Sequence, residues 1–187
     1  MKRIHLRPVA VLAIAWIALA ALAVIAQEPK PIEKFSGYAV PWTGGPQRIN
    51  MDVYRWTTDE ERLALRKALE EGGTEGLLQA IRKMNAGYVR FTNTLRYTLN
   101  FAFVTETDKG RVIKMVTERP IAIGEELSGS RSLNYQFGVI EFTLNEKGKG
   151  EGTITGTAKI SLDEKGEIKI ETVSTKPNQL INVSKLK

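Results

Sequence analysis

The chain contains no cysteine, and its one histidine, His5, stands among the first residues. Beyond His5 the sequence therefore excludes disulfides, thiol nucleophiles, zinc sites of the His/Cys kind, Ser-His-Asp triads and an imidazole general base. The absence of cysteine also excludes a lipid-anchored lipoprotein. No P-loop, GxGxxG, HExxH, GxSxG or EF-hand pattern occurs. Gly148, Gly150 and Gly152 alternate, but no helix start follows them to hold a phosphate, so they read as turn and bulge glycines. Charge of one sign is scarce too. Half of the formal net charge of +6 lies in Lys2, Arg3 and Arg7. The rest is spread with both signs mixed, which is no footprint for nucleic acid. Chemistry is left to Asp, Glu, Lys, Ser, Thr and Tyr.

There is one long hydrophobic run. Lys2, Arg3 and Arg7 precede the uncharged residues 9–26, and Val24-Ile25-Ala26 supplies small side chains at the −3 and −1 positions. That is the pattern of a secretory signal peptide over residues 1–26. The run also reaches the lower edge of what spans a bilayer, so an uncleaved inner-membrane anchor over residues 9–26 is the alternative. Either way the pattern implies export, to a periplasm or beyond. Residues 27–46 follow as a Pro-bearing linker and an aromatic loop, with Phe35, Tyr38 and Trp42 set among Gly and Pro. Residues 47–187 then read as a single domain, long enough to bury roughly 70% of its unfolded surface.

Period-two alternation is the strongest signal in that domain. Ile140, Phe142 and Leu144 alternate with Glu141 and Thr143. After a turn at 145–148, Ile154, Ala158, Ile160 and Leu162 alternate with Thr, Lys and Ser. After a second turn at 163–166, Ile168 and Ile170 alternate with Glu167, Lys169 and Glu171. Three antiparallel strands follow, each with one inward face. Earlier, Ile49, Met51 and Val53 mark a strand within 47–56, and residues 88–91 a short one. Tyr97, Leu99, Phe101 and Phe103 give a strand with one aromatic face. Residues 111–117 carry bulk on both faces and so belong centrally, and 179–183 add a last short strand.

Helical spacing occupies the stretch between the first two strands. Thr58 and Glu61 form a capping box, Gly72-Gly73 ends one amphipathic helix, and Thr74 caps a second. The expected class is α+β: an antiparallel, partly closed meander of about six or seven strands, with a two-helix segment after the first strand. Tyr135 and Phe137 are odd-numbered, whereas Ile140, Phe142 and Leu144 are even. A regular strand cannot switch faces, which predicts a β-bulge at Gly138.

Two groups of residues are candidates for ligand binding. Tyr38 and Trp42 could anchor a ligand-contacting flap; the plainer alternative is a loop packing its aromatics on the sheet. Arg111 and Arg119 stand at the two ends of one strand, with Glu118 beside the second. A strand-end Arg can hold a carboxylate or phosphate bidentately, and the plainer alternative is an ion pair with Glu106 or Glu118 at the sheet rim. Paired carboxylates are the one catalytic device left, Glu106 with Asp108 and Glu125 with Glu126. A hydrolase would need two of them held across a cleft. No catalytic residue, metal ligand or cofactor is assigned.

The segments TDEER (58–62), EGG (71–73), GRVI (110–113), TERPI (117–121) and GKGEG (148–152) resemble an uncharacterised family of small exported bacterial proteins. The resemblance covers residues 47–184. It implies bacterial export, one domain and an unused sequon at Asn182-Val183-Ser184, and it implies no activity. The expected function is a non-catalytic envelope or periplasmic module that binds a protein or small-molecule partner. No nucleic acid is expected, and membrane only through the N-terminal segment if that is kept. The alternatives are an Asp/Glu-dependent hydrolase using Glu106, Glu118 or Glu126, and a carrier holding an apolar ligand between the aromatic strand face and Tyr38 and Trp42.

Overall fold

The structure, a computed structural model, describes residues 29–42, 44–92, 94–108, 110–123, 135–172 and 176–187. The chain divides into two units, Met1–Lys30 and Pro31–Lys187. Of the first, Pro29 and Lys30 are described, and both are exposed. The leader expected over residues 1–26 lies outside the described residues. Among those described, no helix is long and apolar enough to cross a membrane.

The second unit is built almost wholly of strands. In chain order these are β1 (Glu33–Val40), β2 (Gln47–Val53), helix α1 (Asp59–Ile81), β3 (Gly87–Phe91), β4 (Tyr97–Leu99), β5 (Phe101–Thr107), β6 (Gly110–Thr117), β7 (Phe137–Leu144), β8 (Lys149–Leu162), β9 (Ile168–Thr172) and β10 (Asn178–Leu186). They form one ten-stranded antiparallel sheet in the order β4-β3-β2-β1-β10-β8-β7-β6-β5, with β9 added on β8. The two ends of this path, β4 and β5, are separated in the chain by Asn100 alone. Leu99 pairs with Gly87 of β3, and Phe101 pairs with Val116 of β6. One bent strand thus joins both ends, and the sheet curls into a nearly closed, barrel-like ring.

The α+β expectation of about six or seven strands and two helices does not hold. Among the described residues the protein is mostly β, with ten strands and a single helical element. One missed strand is β1, which occupies residues assigned to a linker and loop. Its inward set of Phe35, Gly37 and Ala39 is buried, with Lys34 before them and Tyr38 between them exposed. Gly37 supplies no apolar signal, and the Gly and Pro on either side drew attention to a loop. The two expected helices are one element, bent at Gly73 (φ 59°, ψ −153°). A left-handed glycine interrupts the ladder there and the chain resumes helix at once. The capping box at its start is present, with Thr58 Oγ1 accepting from the Glu61 N–H and the Glu61 carboxylate accepting from the Thr58 N–H. A hydrogen bond from Arg55 is the largest cause holding the Glu61 carboxyl below its ordinary range, followed by the Thr58 N–H.

Two cores follow from this architecture. Inside the ring, Phe35, Ile49, Met51, Val53, Val89, Phe91, Leu99, Ile113, Met115, Ile140, Phe142 and Leu180 pack together with further buried neighbours. A ring of eight or so strands is about wide enough for side chains to fill. Outside it, Leu65, Leu69, Leu77, Leu78 and Ile81 of α1 pack on Phe137, Val139, Ala158 and Ile160. That second core explains the mixed numbering in β7. Phe137 and Val139 face the helix while Ile140, Phe142 and Leu144 face the interior, so β7 is apolar on both sides and never switches faces.

The expected bulge at Gly138 is therefore displaced onto a neighbouring strand. The β7–β8 ladder does slip between Phe137 and Val139, where Phe137 pairs with Ala158 but Val139 with Thr155. The extra residue belongs to β8, at Gly156 and Thr157. As a result Ile154 points inward, whereas Ala158 and Ile160 point outward to the helix. The same device recurs twice. Tyr97 and Leu99 serve the interior, but beyond Asn100 it is Ala102 and Val104 that do so. In β10 the register slips between Leu180 and Val183, around Asn182, which sits at φ 52°. Such bulges are how a flat ladder is turned into a closed one.

Candidate functional site

The strands alternate in direction around the ring, so the connections gather at two ends. At the end where β1 begins, inward alternation brings Glu33 of β1 and Arg111 of β6 to the mouth of the interior. Arg111 donates from both terminal nitrogens to Glu33, 3.0 Å to Oε2 and 3.0 Å to Oε1. Lys185 Nζ lies 3.4 Å from Glu33 Oε2, and Arg111 Nε lies 3.1 Å from Glu106 Oε1, out of line for a hydrogen bond. The guanidinium stands 6.0 Å from the centroid of Trp56, which packs against the interior core. The hydrogen bonds that Arg111 donates to Glu33 lift its guanidinium above its already high ordinary value, against the opposing effect of burial. A groove of about 440 Å³ adjoins this clasp and is lined by Glu106, Asp108, Arg111, Asn145, Glu146 and Lys185 among others.

Chemically the clasp is an anion site that the chain occupies itself. Both Glu33 oxygens are engaged, while the Glu106 side chain is 74% exposed. Hydrolase work needs two carboxyls held apart across a cleft, whereas Glu33 is clasped by Arg111 and Glu106 stands against the same guanidinium. Among the described residues, no group of three or more His, Cys, Asp or Glu is placed to hold a metal. Glu125 and Glu126, named for the hydrolase, lie outside the described residues.

The opposite end carries the other candidates. Trp42 is 58% exposed and Tyr38 42% exposed. The Trp42 indole N–H donates to the Lys176 carbonyl at 3.3 Å, and the Lys176 ammonium stands 5.6 Å from the ring centroid. Arg119 lies 4.7 Å over the Tyr97 ring and donates to the Arg96 carbonyl at 3.0 Å. Between these connections, Ile121 and Ile123 are buried and cover the interior from this side. Ile121 donates its N–H to the Gly156 carbonyl at 2.8 Å. A side chain at Gly138 would collide with Ile121, so the glycine is there to make room for this plug.

The five expected site residues do not form one site. Arg111 and Arg119 stand at opposite ends of the molecule. Glu118 turns to neither, pairing instead with Arg82 at the end of α1, 3.4 Å away. Tyr38 lies on the outer wall of β1. Of the ion pairs anticipated for Arg111, Glu106 is found and Glu118 is not. Glu33 and Lys185 were missed, Glu33 because the linker assignment hid it. The alternation of Glu33, Phe35, Gly37 and Ala39 is the signal that could have found it. The aromatic strand face also divides, since Tyr97 and Leu99 serve the interior while Phe101 packs with the helix and Phe103 lies beneath the Arg62 guanidinium, 3.8 Å away. Comparison with protein-family models, with curated proteins and with solved structures finds no match.

Proposed function

We propose that this is an exported, non-catalytic envelope module that recognises its partner at its surface and not in its interior. The observation that carries the proposal is the filled ring: side chains from the described strands occupy its core, with Trp56 packed near one end and Ile121 and Ile123 at the other. A carrier in the sheet concavity needs that space. A hydrolase needs two carboxyls held across a cleft, and beside the groove Glu33 is locked to Arg111 while Glu106 lies against the same side chain. Export rests on the leader pattern and on the resemblance to small exported bacterial proteins.

Titration with cis-parinaric acid tests the reading. Trp56 packs against the interior core, so an apolar ligand entering there would change its emission. The expected result is no saturable binding. Stoichiometric uptake with transfer from Trp56 would restore the carrier and end the present proposal.

A further inference from the structure

Trp42 and Leu95, at 58% and 85% exposed, stand on adjoining connections at one end of the ring. The β3–β4 connection is tied to the start of β2, beside the β1–β2 connection, where the Thr92 N–H donates to the Arg48 carbonyl at 3.0 Å. Single exposed apolar residues are ordinary. What surrounds this pair is not. Arg48 lies one residue inside the start of β2, Arg90 one residue inside the end of β3, and Arg96 directly follows Leu95; all three are exposed, as are Arg119 and Lys176.

Elsewhere among the described residues the exposed arginines sit against carboxylates: Arg62 on Asp59, Arg66 on Glu70 and Arg82 on Glu118. Among the described residues, Arg48 and Arg90 have no carboxylate within ion-pair distance. Arg119 rests on the Tyr97 ring, which positions its charge without neutralising it. Trp42 is likewise held, by its hydrogen bond to Lys176, and not free to swing.

From this we infer that this rim docks on the surface of an anionic phospholipid bilayer. An indole and a leucine at the tips suit the depth just below the headgroups, and guanidinium groups suit phosphate oxygens at headgroup level. The proposal rests on the reading of surface recognition and names the surface. Two apolar tips within a cationic collar match a layer that is charged outside and apolar beneath. A soluble polyanion would leave Trp42 and Leu95 without a role.

The unit Pro31–Lys187 contains every described strand, the described helix and both cores, so it is tested without the leader, which would enter bilayers by itself. Cosedimentation is compared on vesicles of phosphatidylcholine alone and of phosphatidylcholine with phosphatidylglycerol, with tryptophan emission as a second readout. Binding is expected on the anionic vesicles only, weakened by salt and accompanied by a blue shift that Trp42→Ala removes. Each arginine near the surface is worth about fivefold in affinity, so Arg48→Glu with Arg90→Glu should lose at least about 25-fold. Both side chains are exposed, and an unchanged thermal melt shows that the fold is kept. The proposal is overturned by equal binding to both vesicle types, by no binding to anionic vesicles, by an undiminished double variant, or by binding to heparin without binding to vesicles. Parinaric acid uptake is read without vesicles, so failure of the surface reading is seen separately.

Discussion

Asn100 joins the two halves of the bent strand and is 1% exposed. Its amide donates to the Ile81 carbonyl at 3.2 Å and the Met84 carbonyl at 3.1 Å, and its oxygen accepts the Glu118 N–H at 2.9 Å. One side chain thus bonds the Met84 carbonyl just past α1 and the Ile81 carbonyl at its end, which also accepts the Met84 N–H at 3.0 Å, and fixes the helix to the ring. Leaving such buried groups unpaired is expensive. Asn100→Ala is expected to lower the free energy of unfolding by about 3 kcal/mol in urea titration. A change under about 0.5 kcal/mol would show that water replaces the amide without loss. In sequence Asn100 looks like any polar residue between Leu99 and Phe101, and nothing local marks it as buried. Its role exists only because α1 ends beside it.

At the scale of elements, turns and strand positions were largely legible, and faces were not. The turns before β8 and β9, the cap of α1 and the stretches forming β6 and β7 follow from local pattern, because each depends on neighbours a few residues away. Which face of a strand turns inward depends on bulges at Asn100, Gly156 and Asn182, and these answer to the closure of the whole ring. Strict alternation through Ile154, Ala158 and Ile160 therefore placed all three on one face, when a slip separates the first from the others. The glycines of GKGEG have an element-level reason as well. A Cβ at Gly152 would lie 1.9 Å from the Glu141 carbonyl oxygen, and one at Gly150 would lie 1.7 Å from that of Thr143. Gly72, in contrast, has nothing within 4 Å. Gly72→Ala is expected to stabilise the protein by about 0.5 kcal/mol by restricting the unfolded chain. Gly152→Ala should cost about 3 kcal/mol or more, since two backbones would have to part. Thermal or urea unfolding of the two variants distinguishes them, and similar behaviour in both would remove the close-approach argument.

At the scale of the whole molecule, sheet closure and the filled interior are the properties that bear on function. Neither was readable beforehand. Closure needs β1, hidden by the glycine and proline around it, and it brings Glu33 to Arg111 across the mouth from residues far apart in the chain. Arg111 was recognisable as a strand-end cation, but its occupant was not. The core side chains take up the inner space of the ring, and this is what the proposal of recognition at the outside rests on. Native mass spectrometry of the protein recovered from its native source tests this most directly. The account predicts the mass of the polypeptide with nothing retained; a stoichiometric apolar adduct, surviving purification and lost on unfolding, would contradict it.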